Sequence, residues 1–387
     1  MQFDTDPHPE IREAIFKLCD SFGLNYWLEC DNDERFPTEF FAALREGGWT
    51  GIYFPQEFGG SGSSFTAAVT MIQAIAESGS GWTGGGSIHH YLFTPHPIVV
   101  FGTPEQKRRF LPPLAQGIER PCMALTEPNT GLDTTRLSTR ALRSGDHYIM
   151  NGEKVWTTGA MIADRMLVLA RTRPVQETPR PIDGLTLFYT AIDRRYVDVR
   201  PIKKHGYQAN ASCQVLINDL PVPVQDRIGE EGKGFRYLLD GLNPERVTAA
   251  AMAVGVGRFV VKKASVYATE RVVFGRPIGQ NQAVQLPLAQ CWAELEAANL
   301  MVYKAAAMYD AGLPCGVEAN AAKFLAAEAA QKACRQAMIT HGGFGFAKEF
   351  HVERLLREIM IPVLAPVAQS LALCYIAERE LGMPKSY

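Results

Sequence analysis

Apolar residues recur at every third or fourth position through the first 120 residues, which is the period of one helix face. Behind Pro9, the residues Ile11, Ile15 and Leu18 keep this spacing. Further stretches with the same period begin at Pro37, cover residues 65–77 and begin at Pro104. Because an early proline followed by an apolar stripe is typical of a helix start, this part of the chain is predicted to be helical.

The pattern changes between residues 122 and 225 to the short alternating and apolar runs of strands. Residues 140–152 predict a strand, a turn and a second strand, as in a hairpin. Further strands are predicted at 166–170, 185–189 and 196–199. From residue 233 the pattern is helical again, and residues 321–338 are almost uninterrupted helix formers rich in Ala.

This order of helices, strands and helices predicts an α+β chain with three domains. We expect an N-terminal helical domain at 1–121, a middle β domain at 122–232 and a C-terminal helical bundle domain at 233–387. Long helices joined by short loops favour a bundle. The chain length of 387 residues agrees with two to three domains.

Composition excludes several classes of protein. Hydrophobic residues make up 47% and charged residues 21% of the chain, which is typical of a globular protein. A net charge of −2 provides no basic field for nucleic acid. Charges interrupt every apolar run before the ~20 residues that a membrane span needs. The polar start MQFDTDPHPE is unlike a targeting peptide, so a cytoplasmic protein without a membrane span is expected.

The eight cysteines are scattered, and none forms a Cys-x-x-Cys pair or has zinc-site spacing with a histidine. They predict reduced, mostly buried thiols and no metal site. The fingerprints of simple dinucleotide-binding enzymes, P-loop NTPases, zinc proteases and α/β-hydrolases are absent from the sequence. Candidate chemistry must therefore come from other motifs.

Four motifs occur in a fixed order along the chain. They are Thr126-Glu127-Pro128 with Gly131-Leu132-Asp133, Asn151-Gly152 with Lys154 and Trp156-Thr157-Thr158, Tyr267 with Arg271, Phe274-Gly275 and Gln282, and Gly342-Gly343 followed by Glu353-Arg354. Small and hydroxyl residues allow backbone N–H groups to approach a flat ring closely. Together the motifs resemble the signatures of the acyl-CoA dehydrogenase family, and the stretch 267–282 is the most specific match.

The resemblance covers almost the whole chain. It implies an N-terminal helical domain, a middle β-barrel-like domain and a C-terminal four-helix bundle. It also implies a bound FAD, a homotetramer or dimer, and α,β-desaturation of an acyl-CoA thioester in fatty-acid β-oxidation. The family's dehydrogenases pass their electrons to electron-transferring flavoprotein, so this partner is expected as well.

The same resemblance assigns residues to the cofactor. They are Leu125, Thr126, Gly131, Trp156, Thr157, Thr158, Arg271, Phe274, Gln282, Ile339, Gly342 and Gly343. Trp156 would pack against the isoalloxazine, and Thr158 would hydrogen-bond near its reactive nitrogen. Arg271 would pair with the FAD pyrophosphate of a neighbouring subunit. Ile339 stands where the family often has Gln, which removes one potential bond to the cofactor.

Desaturation needs a base that removes the α-proton. Most of the family has a Glu near the C-terminus, but that position falls here on Pro366 or, counted from the other side, on Val367. A minority, including the isovaleryl and long-chain members, has its base in a Leu-Asp-x-Glu-Arg segment, which residues 242–246 resemble. Glu245 is therefore the predicted base. Alternatively, Asn243 caps a helix that starts at the next residue, with Glu245 in its first turn.

The resemblance also assigns Leu132, Asn243 and Arg246 to the substrate, with Arg246 orienting the base or binding the CoA part. Leu132 replaces the family's Ser and removes a polar contact to the pantetheine. Other functions in the superfamily stay open: an acyl-CoA oxidase, a flavin monooxygenase, or a non-catalytic paralogue in a hetero-oligomer. The acyl group is not predicted, and the histidines at 89, 90 and 96 are interpreted as loop or core residues.

Overall fold

Seven α-helices precede the first strand within residues 6–386, the part of the chain that this computed structural model describes. They are α1 (Pro9–Cys19), α2 (Leu24–Asn32), α3 (Thr38–Glu46), α4 (Phe65–Ile75), α5 (Gly81–Phe93), α6 (His96–Phe101) and α7 (Pro104–Ala115). Each stretch with helical period corresponds to one of them, namely α1, α3, α4 and α7. Their apolar faces share one core, in which α4 is buried along its whole length. The predicted N-terminal helical region is confirmed.

The C-terminal end of α4 differs from a plain helix. It continues as a π-helical turn, Ala76–Ser80, in which Gly79 has a φ of +97°. The buried guanidinium of Arg354 donates hydrogen bonds to the carbonyl oxygens of Gly79, at 2.8 Å, and Ser80, at 3.2 Å. Because glycine adopts this φ without a steric penalty, Gly79 turns the chain into α5.

The middle of the chain forms a sheet that has eight strands within the described residues. They are β1 (Pro121–Ala124), β2 (Arg140–Ser144), β3 (His147–Thr158), β4 (Arg165–Arg171), β5 (Leu185–Ala191), β6 (Val197–Pro201), β7 (Ser212–Pro223) and β8 (Arg227–Ile228). The path through the sheet is β6-β7-β3-β2-β4-β5-β8, and β1 pairs in parallel with β4. The strands expected from residues 140–199 are β2 to β6, whereas β7 lies where the pattern predicts none.

Both faces of this sheet are covered. Along β4, Leu167 and Leu169 belong to the core that the sheet shares with the helices, while Met166 and Val168 belong to a second core. Successive side chains of a strand point to opposite faces, so a strand buried on both sides is apolar throughout. This burial explains the unbroken apolar run at 166–170 and fixes the sheet against α7 and α8.

Long helices return after the sheet. The remaining elements are α8 (Gly234–Glu270), β9 (Val272–Val273), β10 (Arg276–Pro277), α9 (Gln282–Asp310), α10 (Gly316–His341), α11 (Glu353–Glu358), α12 (Ile361–Leu364) and α13 (Gln369–Arg379). The Ala-rich α10 packs against α8, α9 and α13. A Cβ atom on Gly255 would lie 2.5 Å from the carbonyl oxygen of Gln73, so α8 crosses α4 in direct backbone contact. The α–β–α architecture is confirmed.

The start of α8 shows that the alternative interpretation of Asn243 as a helix cap is wrong. The helix begins at Gly234 and continues through Pro244, so Asn243 is not an N-cap and Glu245 is not in a first turn. Asn-Pro is a frequent start signal, but burial of Tyr237 and Leu238 extends the helix in the N-terminal direction. Glu245 therefore lies inside a packed helix rather than at a solvated end.

Two further observations concern metals and membranes. No group of three or more His, Cys, Asp or Glu side chains suited to a metal ion occurs among residues 6–386. Within that range no single helix is long and apolar enough to cross a membrane, although Glu353–Leu364 and Gln369–Arg379 meet the criteria as a pair bent by 41°. The cysteines are free thiols, buried except for the half-buried Cys374.

Candidate active site

Glu245 is a buried carboxyl group without full hydrogen bonding. Glu245 is only 8% exposed, and its Oε2 has no hydrogen-bond partner among the described residues. Burial raises the pKa of Glu245 from 4.5 to about 7, although the charge of Arg246 acts in the opposite direction. A carboxyl group with such a pKa can take up and release a proton near neutral pH.

One cation, Arg246, lies near this carboxyl group, and a second cation, Lys323, lies near Arg246. Arg246 donates from Nη1 to Oδ1 of Asn243 at 3.0 Å, while its buried Nε has no partner among the described residues. Lys323 of α10 is fully buried and donates from Nζ to the carbonyl oxygen of Val367 at 2.5 Å. Burial, together with the charge of Arg246, lowers the pKa of Lys323 to about 8. This hydrogen bond connects the segment with Pro366 and Val367 to the part of α10 that lies near Arg246.

Sequence reasoning missed Lys323. Its only signal is a basic residue inside a run of alanines that faces the interior of the bundle. A buried lysine costs free energy unless polar groups surround it, so its position near Arg246, the neighbour of the candidate base, points to an electrostatic role.

A cavity of about 740 Å³ lies beside the helix that carries Glu245. Asp240 and Asn243 of α8 line one wall, and Tyr309 and Cys315 line another. His96 contributes to the same cavity; it contacts Oδ2 of Asp240 through Nε2 at 2.7 Å and the hydroxyl of Tyr309 through Nδ1 at 3.1 Å. Asn243, one of the predicted substrate residues, thus lies at the boundary between this cavity and Arg246.

A buried ion pair joins the first two motifs. Lys154 donates from Nζ to Oε1 of Glu127 at 2.9 Å and to the carbonyl oxygens of Leu125 and Leu169, at 3.0 and 2.8 Å. Burial acts to raise the pKa of Glu127, but the charge of Lys154 and hydrogen bonds from residues 138–139 lower it to about 2. The loop after β1 is therefore fixed against the C-terminal part of β3.

The C-terminal end of β3 presents an aromatic ring and hydroxyl groups. Trp156 has a φ of +59° at an irregularity in the pairing with β7, and its residue is 58% exposed. A left-handed backbone costs energy for a non-glycine residue and is frequent at ligand sites. Thr158 Oγ1 lies 3.0 Å from the hydroxyl of Ser212, and the buried hydroxyl of Thr157 has no partner among the described residues. An exposed indole beside the hydroxyl groups of these two threonines fits a flat heterocycle.

Leu132 and Gly131 lie in the loop between β1 and β2. Leu132 is exposed, and a Cβ atom on Gly131 would have no neighbour within 4 Å. Thr126 faces β3, where its carbonyl oxygen accepts a hydrogen bond from the backbone N–H of Val155 at 2.9 Å. The fold therefore brings the loop residues to the edge of the same surface as Trp156.

The remaining predicted cofactor residues form a second set at the far end of α8. Arg271 caps this helix, and its guanidinium carbon lies 5.7 Å from the centre of the Phe344 ring. Phe274 is 100% exposed with a φ of +52°. Gln282 begins α9, while Ile339, Gly342 and Gly343 lie at the end of α10. Cβ atoms on Gly342 and Gly343 would meet nothing within 4 Å, which leaves open space for a ligand.

The structure separates this second set from the base. Glu245 and Arg271 are 26 positions apart along α8, which corresponds to about 39 Å along its axis. The exposed Phe274 and the open glycines therefore face outward at one end of the subunit, and the base lies in the interior at the other.

Family models match nearly the full chain. The N-terminal domain of acyl-CoA dehydrogenases matches residues 5–118, the middle domain 122–220 and the C-terminal domain 232–364. The chain belongs to the acyl-CoA dehydrogenase family. Members of this family are oxidoreductases that use FAD, so the expected enzyme class and cofactor are confirmed.

Individual members of the family are similar over their whole length. The chain is 32% identical to the acyl-CoA dehydrogenase FadE12 of Mycobacterium tuberculosis, over 99% of this chain and 98% of that protein. Its fold resembles butyryl-CoA dehydrogenase of Megasphaera elsdenii, with a TM-score of 0.87, 29% identity and coverage of 94% and 96%. It also resembles a chain in a structure of the electron-transferring flavoprotein of Acidaminococcus fermentans, with a TM-score of 0.92, 27% identity and coverage of 98% and 99%.

Proposed function

We propose that this enzyme desaturates an acyl-CoA thioester between its α- and β-carbons, with Glu245 as the base that removes the α-proton. The observation that carries the proposal is the buried Glu245 carboxyl group, which has a pKa of about 7 and whose Oε2 has no hydrogen-bond partner within residues 6–386. The reaction pairs loss of the α-proton with loss of a β-hydride, and FAD, when bound, accepts that hydride. The chain itself must supply the base.

The surroundings of Glu245 suit proton abstraction. An ionised carboxylate in a buried site is a stronger base than one in water, because burial disfavours the charge that proton uptake removes. The positive charge of Arg246 limits this effect, so that a useful fraction of Glu245 is ionised at neutral pH. Arg246 would also hold the substrate side of the site through Asn243, its hydrogen-bond partner.

The thioester carbonyl needs a hydrogen-bond donor as negative charge develops on it. In the late segment Pro366 has no N–H, whereas the N–H of Val367 has no partner among the described residues. Lys323 holds the carbonyl oxygen of Val367, in the peptide group that follows the one with this N–H, and so restrains the residue. We assign the donor role to Val367 N–H.

The predicted FAD residues divide into two groups under this proposal. Residues 125–131 and 156–158 would hold the isoalloxazine, with Trp156 against the ring and Thr158 beside its reactive edge. Arg271, Phe274 and Gln282, with Ile339, Gly342 and Gly343, would hold the FAD of a second subunit. About 39 Å of helix between Glu245 and Arg271 supports this division, because one FAD molecule is too short to span it.

The remaining assignments are proposals of the same kind. Leu132, Asn243 and Arg246 would contact the acyl-CoA, and the domains would extend over 1–121, 122–232 and 233–387. A tetramer or dimer acting in β-oxidation in the cytoplasm, with electron-transferring flavoprotein as acceptor, agrees with the family and with the flavoprotein structure named above.

A charge-neutral substitution tests the base. In Glu245→Gln we expect FAD to stay bound and bleaching of the flavin by every acyl-CoA in a broad panel to stop, because an amide does not accept the α-proton. Anaerobic titration with spectra of the flavin measures this. Glu270→Gln, at the exposed end of α8, is the matched control and should bleach normally.

Two other carboxylates separate catalysis from folding. Glu358 accepts hydrogen bonds from the backbone N–H of Trp82 and the hydroxyl of Thr83, and Glu353 pairs with Arg357 at 2.7 Å. Their Gln variants should lose stability or FAD before proton abstraction is affected. A Glu245→Gln enzyme that reduces its flavin at nearly the wild-type rate would refute the assignment.

The electron acceptor is tested separately. A dehydrogenase shields its reduced flavin, so we expect turnover with an artificial acceptor to exceed peroxide formation in air by more than about tenfold. Both rates are measured with the same acyl-CoA and the same enzyme. Stoichiometric peroxide at a comparable rate would place the enzyme with the acyl-CoA oxidases.

A further inference from the structure

We propose that His90, together with His89, selects substrates whose acyl group carries an uncharged hydroxyl or carbonyl oxygen beyond the β-carbon. The inference rests on the proposed function and specifies its substrate class. Neither histidine has a part in proton abstraction as described above. Both lie in α5, which faces the helix of the base.

The two imidazoles lie between the base and the surface assigned to the flavin. His89 Nε2 lies 2.8 Å from the hydroxyl of Thr248, one turn after Glu245 in α8. His90 reaches the other side: a Cβ atom on Gly159, the residue after Thr158, would lie 3.9 Å from its Nδ1. An acyl chain placed between Glu245 and the end of β3 must therefore pass these rings.

Hydrogen bonds hold His89 against the helix of the base. The hydroxyl oxygen of Thr248 lies 2.8 Å from Nε2 of His89, 2.8 Å from the carbonyl oxygen of Pro244 and 3.1 Å from that of Glu245. His89 also hydrogen-bonds to the backbone of Glu245. A neutral imidazole has one donor and one acceptor nitrogen, so His89 presents one of each close to the base.

His90 has more unpaired hydrogen-bonding groups than His89. Neither of its ring nitrogens has a hydrogen-bond partner among the described residues, and the ring is only partly buried. Its face packs against Phe93, with ring centres 5.5 Å apart, and His89 packs against the same phenyl ring at 4.8 Å. Phe93 thus packs against both rings, and both histidines stay partly exposed.

These nitrogens would determine which acyl groups can pass between Glu245 and the end of β3. A plain alkyl chain would remove water from them and leave them unsatisfied, whereas an acyl oxygen would replace the lost hydrogen bonds. Burial lowers the pKa of His89 to about 3 and that of His90 to about 4, so both rings are neutral at pH 7. Neutral rings offer a donor and acceptors but no charge, which favours an uncharged oxygen over a carboxylate.

The test uses FAD-loaded enzyme and pairs of substrates that differ by one hydroxyl. The pairs are butyryl-CoA with 4-hydroxybutyryl-CoA, hexanoyl-CoA with 5-hydroxyhexanoyl-CoA, and 3-phenylpropionyl-CoA with 3-(4-hydroxyphenyl)propionyl-CoA. In at least one pair we expect wild-type enzyme to favour the hydroxylated member by about tenfold or more in kcat/KM. His90→Leu should reduce that preference to within about threefold.

Two further measurements distinguish a change in substrate preference from a loss of structure. His90→Asn, which retains a donor and an acceptor, should keep part of the preference, and FAD content should be unchanged in both variants. Binding of the enoyl-CoA products, followed by perturbation of the flavin spectrum, should show the same preference without turnover.

The outcomes are distinct. Equal or better use of the plain member in all three pairs would overturn the inference and leave the desaturation itself intact. A preference for the hydroxylated substrate that persists in His90→Leu would also overturn the inference. Failure of all six substrates to bleach the flavin would refute both the inference and the proposed function.

Discussion

The raised pKa of Glu245 follows from burial and from the lack of a partner for Oε2 among the described residues. In most buried ion pairs the carboxylate is saturated by hydrogen bonds, as Glu127 is, and its pKa falls. At Glu245 the neighbouring Arg246 gives charge without a direct hydrogen bond, so desolvation prevails and the pKa rises to about 7. Two glutamates of one chain thus differ by their immediate contacts alone.

The rate of flavin reduction should depend on this pKa. Only the ionised form accepts the α-proton, so we expect the rate to rise with pH through a midpoint near 7 and to level off above it. Stopped-flow reduction with one acyl-CoA, between about pH 5 and pH 9, measures the midpoint. In Arg246→Gln the midpoint should move upward, because the charge that opposes desolvation is lost. A rate independent of pH across this range would contradict the assignment of Glu245.

Among the elements, the end of β3 depends on a single buried ion pair. Lys154 connects β3 to β4 through the carbonyl of Leu169 and to the loop after β1 through Leu125 and Glu127. The exposed Trp156 follows two residues later in the chain. The placement of the Trp156 ring therefore depends on the buried contact between Lys154 and Glu127.

Removal of the lysine should damage the cofactor surface. We expect Lys154→Met to lower the free energy of unfolding by about 3–5 kcal/mol, because Glu127 is left as a buried unpaired charge, and to lower the FAD content. Urea unfolding and the flavin-to-protein absorbance ratio measure the two effects. Lys262→Met, on the exposed face of α8, should change neither.

A double variant checks the cause. Glu127→Gln combined with Lys154→Met removes both charges and should recover part of the stability lost in Lys154→Met. Equal losses in the single and double variants would show that the ion pair is not what holds the loop to β3.

At the level of the whole molecule, the two predicted cofactor sets lie on different parts of one subunit. The second set includes the fully exposed Phe274 and the open glycines near Arg271. An exposed phenylalanine with a left-handed backbone is costly in an isolated monomer and is explained if a neighbouring subunit covers it.

Loss of the arginine should therefore affect cofactor and assembly together. We expect Arg271→Ala to lower FAD content and to shift the enzyme toward smaller species, since a charge-assisted contact across subunits is removed. Light scattering combined with flavin absorbance measures both quantities. Arg276→Ala is the control, because that exposed arginine pairs only locally with Asn281 among the described residues. A flavin-saturated monomer would contradict the shared site.

How far the sequence predicts this protein differs between its elements. The stripe at Ile11–Leu18 and the alternation at 140–152 predict their elements because backbone period alone decides them. The start of α8 is different: Asn243-Pro244 has the local chemistry of a helix start, but packing of Tyr237 and Leu238 extends the helix back to Gly234. Local signals fail there because burial of apolar side chains outweighs a cap.

Residue identity and spacing along the chain are sufficient to predict the order of helices and strands, the family and the candidate base. Three other relations became visible only in the fold: Lys323 lies near Arg246, His89 and His90 lie against Thr248 and Gly159, and the N–H of Val367 has no partner within residues 6–386. These relations join residues from α5, α8 and α10 that are far apart in sequence. Burial and the balance of hydrogen bonds arise only when those elements pack, so no period or motif contains them.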